Sequence, residues 1–576
     1  MAQQVHFEIF SRRGSKGSWN LVEVKQARED AIHFAQELMG EGATGAKVVK
    51  ETYNEETGDY LSLKIFEDGH NKMKVAPAHD DMPPSPPCFK PDDLYSYHAR
   101  KTIATLIPDF LRHHKVTVTE LGHRADLLEK FEATGTLYQY AVQRVAVAQA
   151  AASDQQVQQI IKKLIELSTQ AFNRVYRDSR KGKFPQVTRG GFAPLVAKLA
   201  AQDDGRYVLN GAIARYLTEA KGWDQKVFLL MALMNEASGD SEGAKLLLSA
   251  VDSLMSEILS GPAALRELIG KKENHGAAVM SLVKLFLGRE PEESEGREGL
   301  ISLTQNFAAD TLPDSRTAIA ERIIAEFRSF KRLCPDSLED EFKALRQIAN
   351  LVVMGVGKYM SHEDLVAAFV MRSRRLISNE NITSYLSGAK APDERLERLL
   401  FVEENIIGAE NKRQLATFVI PIITSAAFED YFASPKTPLT ARLQRLAALN
   451  ARVRRSSFQD NQKAEIAGII DRIACSVEAK GRLFESIEKK QAGHVEKANM
   501  LLALFNANSF TEPVLSARAR ELMVRYLSKP GFLTGYVAQS VPAGGDVTPE
   551  AAVAELIGML QKIGITEENG LKSIAA

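Results

Sequence analysis

Apolar residues alternate in several short runs over the first 68 residues, around one helical stretch, and recur at every third or fourth position through nearly all the rest. Val5, Phe7 and Ile9 alternate with His6, Glu8 and Phe10, the period of a strand with one covered face. Gly14–Ser18 reads as a turn, and Trp19, Leu21, Val22 and Val24 as the returning strand. From Gln26 to Met39 the spacing of Ala31, Phe34, Ala35 and Leu38 becomes helical, and Gly40 and Gly42 end the segment. Lys47–Tyr53 is rich in β-branched residues. Glu55–Gly58 is a hairpin turn, and Leu61, Leu63 and Ile65 alternate with Tyr60, Ser62, Lys64 and Phe66. The order predicted is ββαββ, a small α+β domain at 1–68. Six prolines between Pro77 and Pro91 make 69–91 an extended linker.

Beyond Asp92 the pattern predicts helices almost without interruption. Asp92 and Asp93 are expected to cap a helix running toward His113, and Thr119 another ending near Thr134-Gly135. Leu137–Ala152 follows, then Gln155–Arg180, with Val157, Ile160, Ile161, Leu164, Leu167 and Phe172 on one stripe. Ser241 opens a helix closed by Gly261-Pro262. Ser361 with Asp364 is a near-capping box, and Thr548-Pro549-Glu550 starts the last helix. No repeat of 30–45 residues is evident, so the fold class expected is mainly α: a multi-helix bundle or irregular α-solenoid body behind the small α+β domain. Breaks at Arg289–Gly296 and Ser528–Asp546 suggest helical domains at 92–288 and 297–545 and a C-terminal helical segment at 546–576.

Composition narrows function more than it identifies it. Lys plus Arg and Asp plus Glu are 73 each, so the global positive field of a nucleic-acid binder is missing and nucleic acid is an unlikely partner. The three cysteines, Cys88, Cys334 and Cys475, fit no zinc or redox spacing, and their scarcity suits a reducing compartment. With no signal-peptide pattern and no apolar run approaching ~20 residues, a cytoplasmic protein without a membrane span is expected.

Motifs of chemistry are sparse. His98, His113, His114 and His123 lie close in sequence but lack the spacing of a zinc helix, so no metal and no cofactor are expected. No nucleophile elbow or phosphate loop occurs, and no catalytic residue is assigned. Trp19, Tyr53, Tyr60 and Phe66, beside Arg12, Arg13 and Lys16, could form a stacking platform on the sheet, although core packing explains them as well. The densest basic segment holds Arg174, Arg177, Arg180, Lys181, Lys183 and Arg189 with Asp178 as its sole acid. Gly182, Gly190 and Gly191 could bring backbone N–H groups to an anion. Two further basic runs, Arg372–Arg375 and Arg452–Arg455, read as cationic helix ends. The function expected is a non-enzymatic cytoplasmic scaffold or regulatory adaptor that binds other proteins. The alternative is a signalling protein that binds a small anionic ligand or nucleic acid through 174–189. The apolar face of the C-terminal helix (Val553, Leu556, Ile557, Leu560, Ile563) is a further docking element to consider.

Overall fold

A computed structural model describes the chain except for residues 1–4, 13–18, 41–42, 54–59, 70–84, 154, 238, 291–295, 542–547, 569 and 575–576. The N-terminal part is a four-stranded antiparallel sheet: β1 (Val5–Arg12), β2 (Asn20–Lys25), β3 (Gly45–Tyr53) and β4 (Tyr60–Gly69), in the order β2-β1-β3-β4, with the helix Arg28–Gly40 between β2 and β3. The two-residue period puts Phe7 and Ile9 of β1 on one face beside Ala46 and Val48 of β3. Ala31 and Ala35, four apart on the helix, close that core, and their small side chains let the helix lie close to the sheet. β2 is an edge strand, and Leu21, Val22 and Val24 on it are exposed. Of the proposed aromatic platform, Trp19 lies under the cations of Arg12 (4.7 Å) and Lys47 (5.0 Å). Phe66 packs against the core. The side chains of Tyr53 and Tyr60, and residues Arg13 and Lys16, lie outside the described residues, as does most of the Pro-rich segment.

Most of the remaining described residues are helical, and with Arg28–Gly40 the described residues form 28 α-helices, so the protein is mainly α with a small α+β N-terminal part. Several helix starts fall where the pattern put them. Ser241, Ser361 and Thr548 each accept the N–H three residues on. Others differ. The helix expected toward His113 breaks at Pro108 into Tyr97–Leu106 and Pro108–His114, because proline has no N–H to continue the ladder. Thr117 rather than Thr119 is the cap of the next helix. Thr117 and Glu120 form a reciprocal capping box, while Thr119 donates its amide and hydroxyl to Glu257.

By compactness the chain divides into Met1–Thr102 with Glu132–Ala171, and Ile103–Phe131 with Phe172–Ala576. Within the larger unit each helix packs on helices near it in sequence. Glu242–Ser260 meets Pro313–Arg328, which meets His362–Leu376, which meets Ala409–Ile423. Ala409–Ile423 then meets Asp460–Gly481, and that helix meets Val514–Leu527. This stepwise array is the packing logic of an irregular solenoid. Helices from before position 289 and from after position 296 both belong to it. Phenylalanines 286, 307, 327, 342, 428 and 432 are fully buried along it, each burial favouring the fold by roughly 1.5–3 kcal/mol. The C-terminal helix Pro549–Lys562 packs on Phe532–Ser540 with Leu556 and Leu560 buried. Among the described residues no single helix is long and apolar enough to cross a membrane. The bent pair Ala409–Ile423 and Ala426–Ala433 passes by length and composition, and its Val419, Ile423, Phe428 and Phe432 are buried in the array.

Charged side chains join these helices end to face. A helix leaves its first N–H and last C=O groups unpaired, and the dipole favours an anion at one end and a cation at the other. Asp252 accepts from the amides of Asp314 (2.8 Å) and Ser315 (2.9 Å) at the start of Pro313–Arg328. Asp471 accepts from Val514 and Leu515, and Glu267 from Trp223, in the same way. At the opposite ends, Arg372 donates to the carbonyls of Glu326, Phe327 and Lys331, Arg442 to Phe432 and Ala433, and Arg398 to Tyr385 and Gly388.

Candidate functional site

The basic segment 174–189 folds largely back on its own acid. Asp178, almost fully buried, faces Arg177 Nε at 3.1 Å, Arg174 Nε at 3.8 Å and Lys183 Nζ at 3.9 Å. Lys183 also donates to Asp204 at 2.5 Å, and this bond holds the Asp204 carboxyl below its ordinary range. Arg174 stacks 4.0 Å from the ring centre of Tyr207. Phe184 is buried between Tyr207 and His123 and sits over Gly211, where a Cβ would run into its ring. Arg180, Lys181 and Arg189 are exposed and have no carboxylate within 4 Å among the described residues.

The glycine amides do not point at an absent anion. Glu236 already fills that role, its Oε1 2.7 Å from the Gly190 amide and its Oε2 2.9 Å from the Phe192 amide. Gly182 and Gly191 donate to the carbonyls of Ser179 and Thr188. The backbone concavity expected to receive a ligand is therefore occupied by the protein's own carboxylate. The other two basic runs end their helices as expected, with Arg374, Arg454 and Arg455 exposed, and each also holds a paired arginine. Arg372 is buried with Glu341 (3.2 Å), and Arg452 pairs with Glu404 through two donors.

Lys271, Lys272, Asn274 and His275 help wall a cleft of about 690 Å³ in the larger unit. Three pieces form it: the helix Pro262–Ile269 with the loop after it, the start of His275–Phe286, and the end of Pro313–Arg328 with Lys331. Asn274 caps the second of these by accepting from Ala277, which fixes His275 in the first helical turn. In the cleft, His275 Nε2 lies 3.1 Å from Glu326 Oε2, with side-chain exposures of 8% and 11%. The approach is off hydrogen-bond alignment, so this buried ring nitrogen has no aligned partner among the described residues. Arg322 donates to the other carboxylate oxygen. Burial pushes the Glu326 carboxyl up; His275 and Arg322 outweigh it and hold the group below the ordinary carboxylate range.

Five cations line this cleft: Arg266, Lys271, Lys272, Arg322 and Lys331, against the carboxylates Glu267 and Glu326. Both carboxylates are engaged. Glu267 takes Lys115 and the Trp223 amide, and Glu326 takes Arg322 and His275. Arg266, Lys271 and Lys331 have no carboxylate within 4 Å among the described residues, which leaves a concentrated positive field in a concave site. Sequence reasoning missed the site because its members come from positions 262–282 and 322–331. The one local signal, Lys271-Lys272 before an Asn-capped histidine, resembles any exposed loop.

Other reactive groups are placed for packing. His123 is buried, its Nδ1 2.7 Å from the Thr119 carbonyl. The thiols of Cys88, Cys334 and Cys475 are free and partly buried, and burial pushes each above its ordinary value, away from the reactive thiolate. No group of three or more His, Cys, Asp or Glu side chains arranged to hold a metal ion occurs among the described residues. No family model, curated protein or solved structure matches the chain.

Proposed function

We propose that the protein is a non-enzymatic scaffold or adaptor whose helical array holds a partner protein, with Phe330 as the anchor. The observation that carries this reading is that Phe330 is 76% exposed and yet clamped. The guanidinium of Arg375 lies 4.0 Å from its ring centre. Arg375 is itself fixed by donating to the carbonyls of Arg328 (2.8 Å) and Ser329 (3.0 Å), with Met371 sulfur 3.2 Å from its other nitrogen. An aromatic ring held rigid in water forgoes burial and gains no freedom in return. Covering it recovers about 25 cal/mol per Å² at little ordering cost. Phenylalanine, methionine and arginine are also the residue types enriched where interfaces are driest.

The surroundings fit a partner segment that carries apolar anchors flanked by carboxylates. Met371 and Val366 add exposed apolar surface on the His362–Leu376 helix. A groove of about 510 Å³, lined by Ile324, Ala325, Tyr359 and Met360 among others, reaches Ser329, the residue before Phe330. Lys331 and Arg374 are exposed beside this surface and have no carboxylate partner among the described residues.

The test is site-specific photocrosslinking in native cells, with p-benzoylphenylalanine in place of Phe330. A discrete adduct with one protein is expected. It should disappear on adding Met371→Glu and be missing when the crosslinker replaces Val514, another exposed apolar position elsewhere in the array. No adduct, or the same adducts from both positions, removes the reading.

A further inference from the structure

We propose that residues 85–90 form a preset polyproline-type ligand for a partner domain whose groove is lined with aromatic side chains. The inference goes beyond the Phe330 anchor and uses no part of that surface. Between Ser85 and Phe89 the chain is neither helix nor strand, and Pro86, Pro87 and Phe89 are exposed, Phe89 by 71%. Each proline fixes its own φ at about −65° and keeps the residue before it out of the helical region. Ser85 and Pro86 are both followed by proline. Lys90, which precedes Pro91, is extended for the same reason (φ −133°, ψ 158°). At three residues per turn, a polyproline helix carries Pro86 and Phe89 along one edge.

The fold holds this segment at both ends and at its ring. Gln149 Nε2, on the helix Thr136–Ala151, donates to the Ser85 carbonyl at 3.2 Å. One oxygen of Asp93 accepts from the amides of Phe89 (2.8 Å) and Lys90 (3.1 Å). Lys163, on the helix Val157–Arg180, lies 4.3 Å from the centre of the Phe89 ring. A proline-rich chain already loses little freedom on binding, and these anchors remove part of what is left. The exposed groups define the partner. Strand addition is ruled out, because Pro86 and Pro87 have no N–H and Asp93 holds the amides of Phe89 and Lys90. What remains on offer is two proline rings, their carbonyls and an aromatic ring one turn further on. Slots between aromatic side chains take the prolines, and an apolar pocket beside them takes Phe89. Lys90 is exposed and has no carboxylate within 4 Å among the described residues, so a groove with an acid at that end fits best.

Titration of the full chain against a panel of isolated recombinant SH3 and WW domains, read by fluorescence polarisation of the labelled domain, tests the assignment. Saturable binding by at least one domain is expected. Its affinity should fall at least tenfold in Phe89→Ala, and equally in the double variant Pro86→Ala/Pro87→Ala, and stay unchanged in Phe330→Ala. The last variant separates this ligand from the Phe330 anchor, so either can fail without the other. If no domain of the panel binds at submillimolar concentration, the proposal is overturned. It is overturned equally if binding survives in the Phe89 variant or in the double proline variant, or is lost in Phe330→Ala. Each variant changes exposed side chains only, and circular dichroism checks that it is folded.

Discussion

The ammonium of Lys226 donates to Oε1 of Glu120 at 2.5 Å, with both side chains closed off from solvent. Oε2 of the same carboxylate accepts from the Thr117 amide at 2.9 Å, so one acid serves a capping box and an interior ion pair together. Removing one member of such a pair strands the other. Glu120→Gln should therefore destabilise the fold by about 3–5 kcal/mol, and Lys226→Met added to it should restore part of that loss. The pair also has a pH signature. Burial lowers the proton affinity of Lys226 from the ordinary 10.5, and Glu120 opposes this without cancelling it. The unfolded chain then holds more protons than the native one in the interval below 10.5, so this residue's contribution to stability rises with pH there. Urea unfolding of wild type and Lys226→Met at pH 7 and at alkaline pH measures it: the wild type should gain relative to the variant. A constant difference would contradict the assignment.

Asp252 makes the opposite prediction. Burial holds its carboxyl above the ordinary 3.8, although Ser315 and two backbone amides pull the other way. As pH falls, the native state takes up the proton before the unfolded chain does, so the contribution of Asp252 grows on acidification and shrinks as pH rises through the native value. Wild type should gain stability relative to Asp252→Asn between pH 7 and pH 4.5. Asp252→Ala strands two amides and the Ser315 hydroxyl, which also donates to Asp252 at 2.5 Å. A loss of about 2–4 kcal/mol is expected, against no more than about 0.5 kcal/mol for the exposed mid-helix Glu465→Ala. Equal effects of the two alanine variants would show that Asp252 is not a helix cap.

Arg372 tests the cation side of the same device. Its guanidinium spans the carbonyls of Glu326, Phe327 and Lys331 and the Glu341 carboxylate. Arg372→Met leaves Glu341 buried without that cation and should cost about 3–5 kcal/mol in chemical denaturation. Arg372→Lys should recover little of it, because a single ammonium cannot reproduce a planar fork that reaches four acceptors. Full rescue by lysine would mean that charge alone matters here.

What the sequence discloses follows the range of the interaction. Period and local caps are written within a few residues, so the ββαββ order and the starts at Ser241, Ser361 and Thr548 are legible. Even the misplaced cap is a local matter: Thr117 and Thr119 both precede acids, and Thr117 with Glu120 has the capping-box spacing. Caps supplied by another helix are not legible. Asp252 acts on residues 62 and 63 positions away, and nothing near Asp252 marks it as different from a solvated acid. Basic runs mislead for the same reason, since Arg372 and Arg452 find their acids at Glu341 and Glu404. The His275 cleft combines both obstacles: its cations look like loop residues, and its histidine and glutamate are 51 positions apart (275 to 326).

Glu236 offers a test of anion recognition that does not depend on knowing a ligand. Its two oxygens satisfy the amides of Gly190 and Phe192, the second of which opens the helix Phe192–Leu199. Glu236→Ala should cost about 1–2 kcal/mol through loss of the cap and vacate a backbone concavity that remains shaped for a carboxylate. Acetate or formate should then raise the unfolding temperature of the variant more than chloride at the same ionic strength, with no such difference for the wild type, whose concavity is filled. The nearby exposed Arg189 adds a favourable charge, so Arg189→Ala in the same background should weaken the rescue without abolishing it. If carboxylates and chloride act alike on Glu236→Ala, the amides have rearranged, and the concavity depends on Glu236 for its shape as well as its charge.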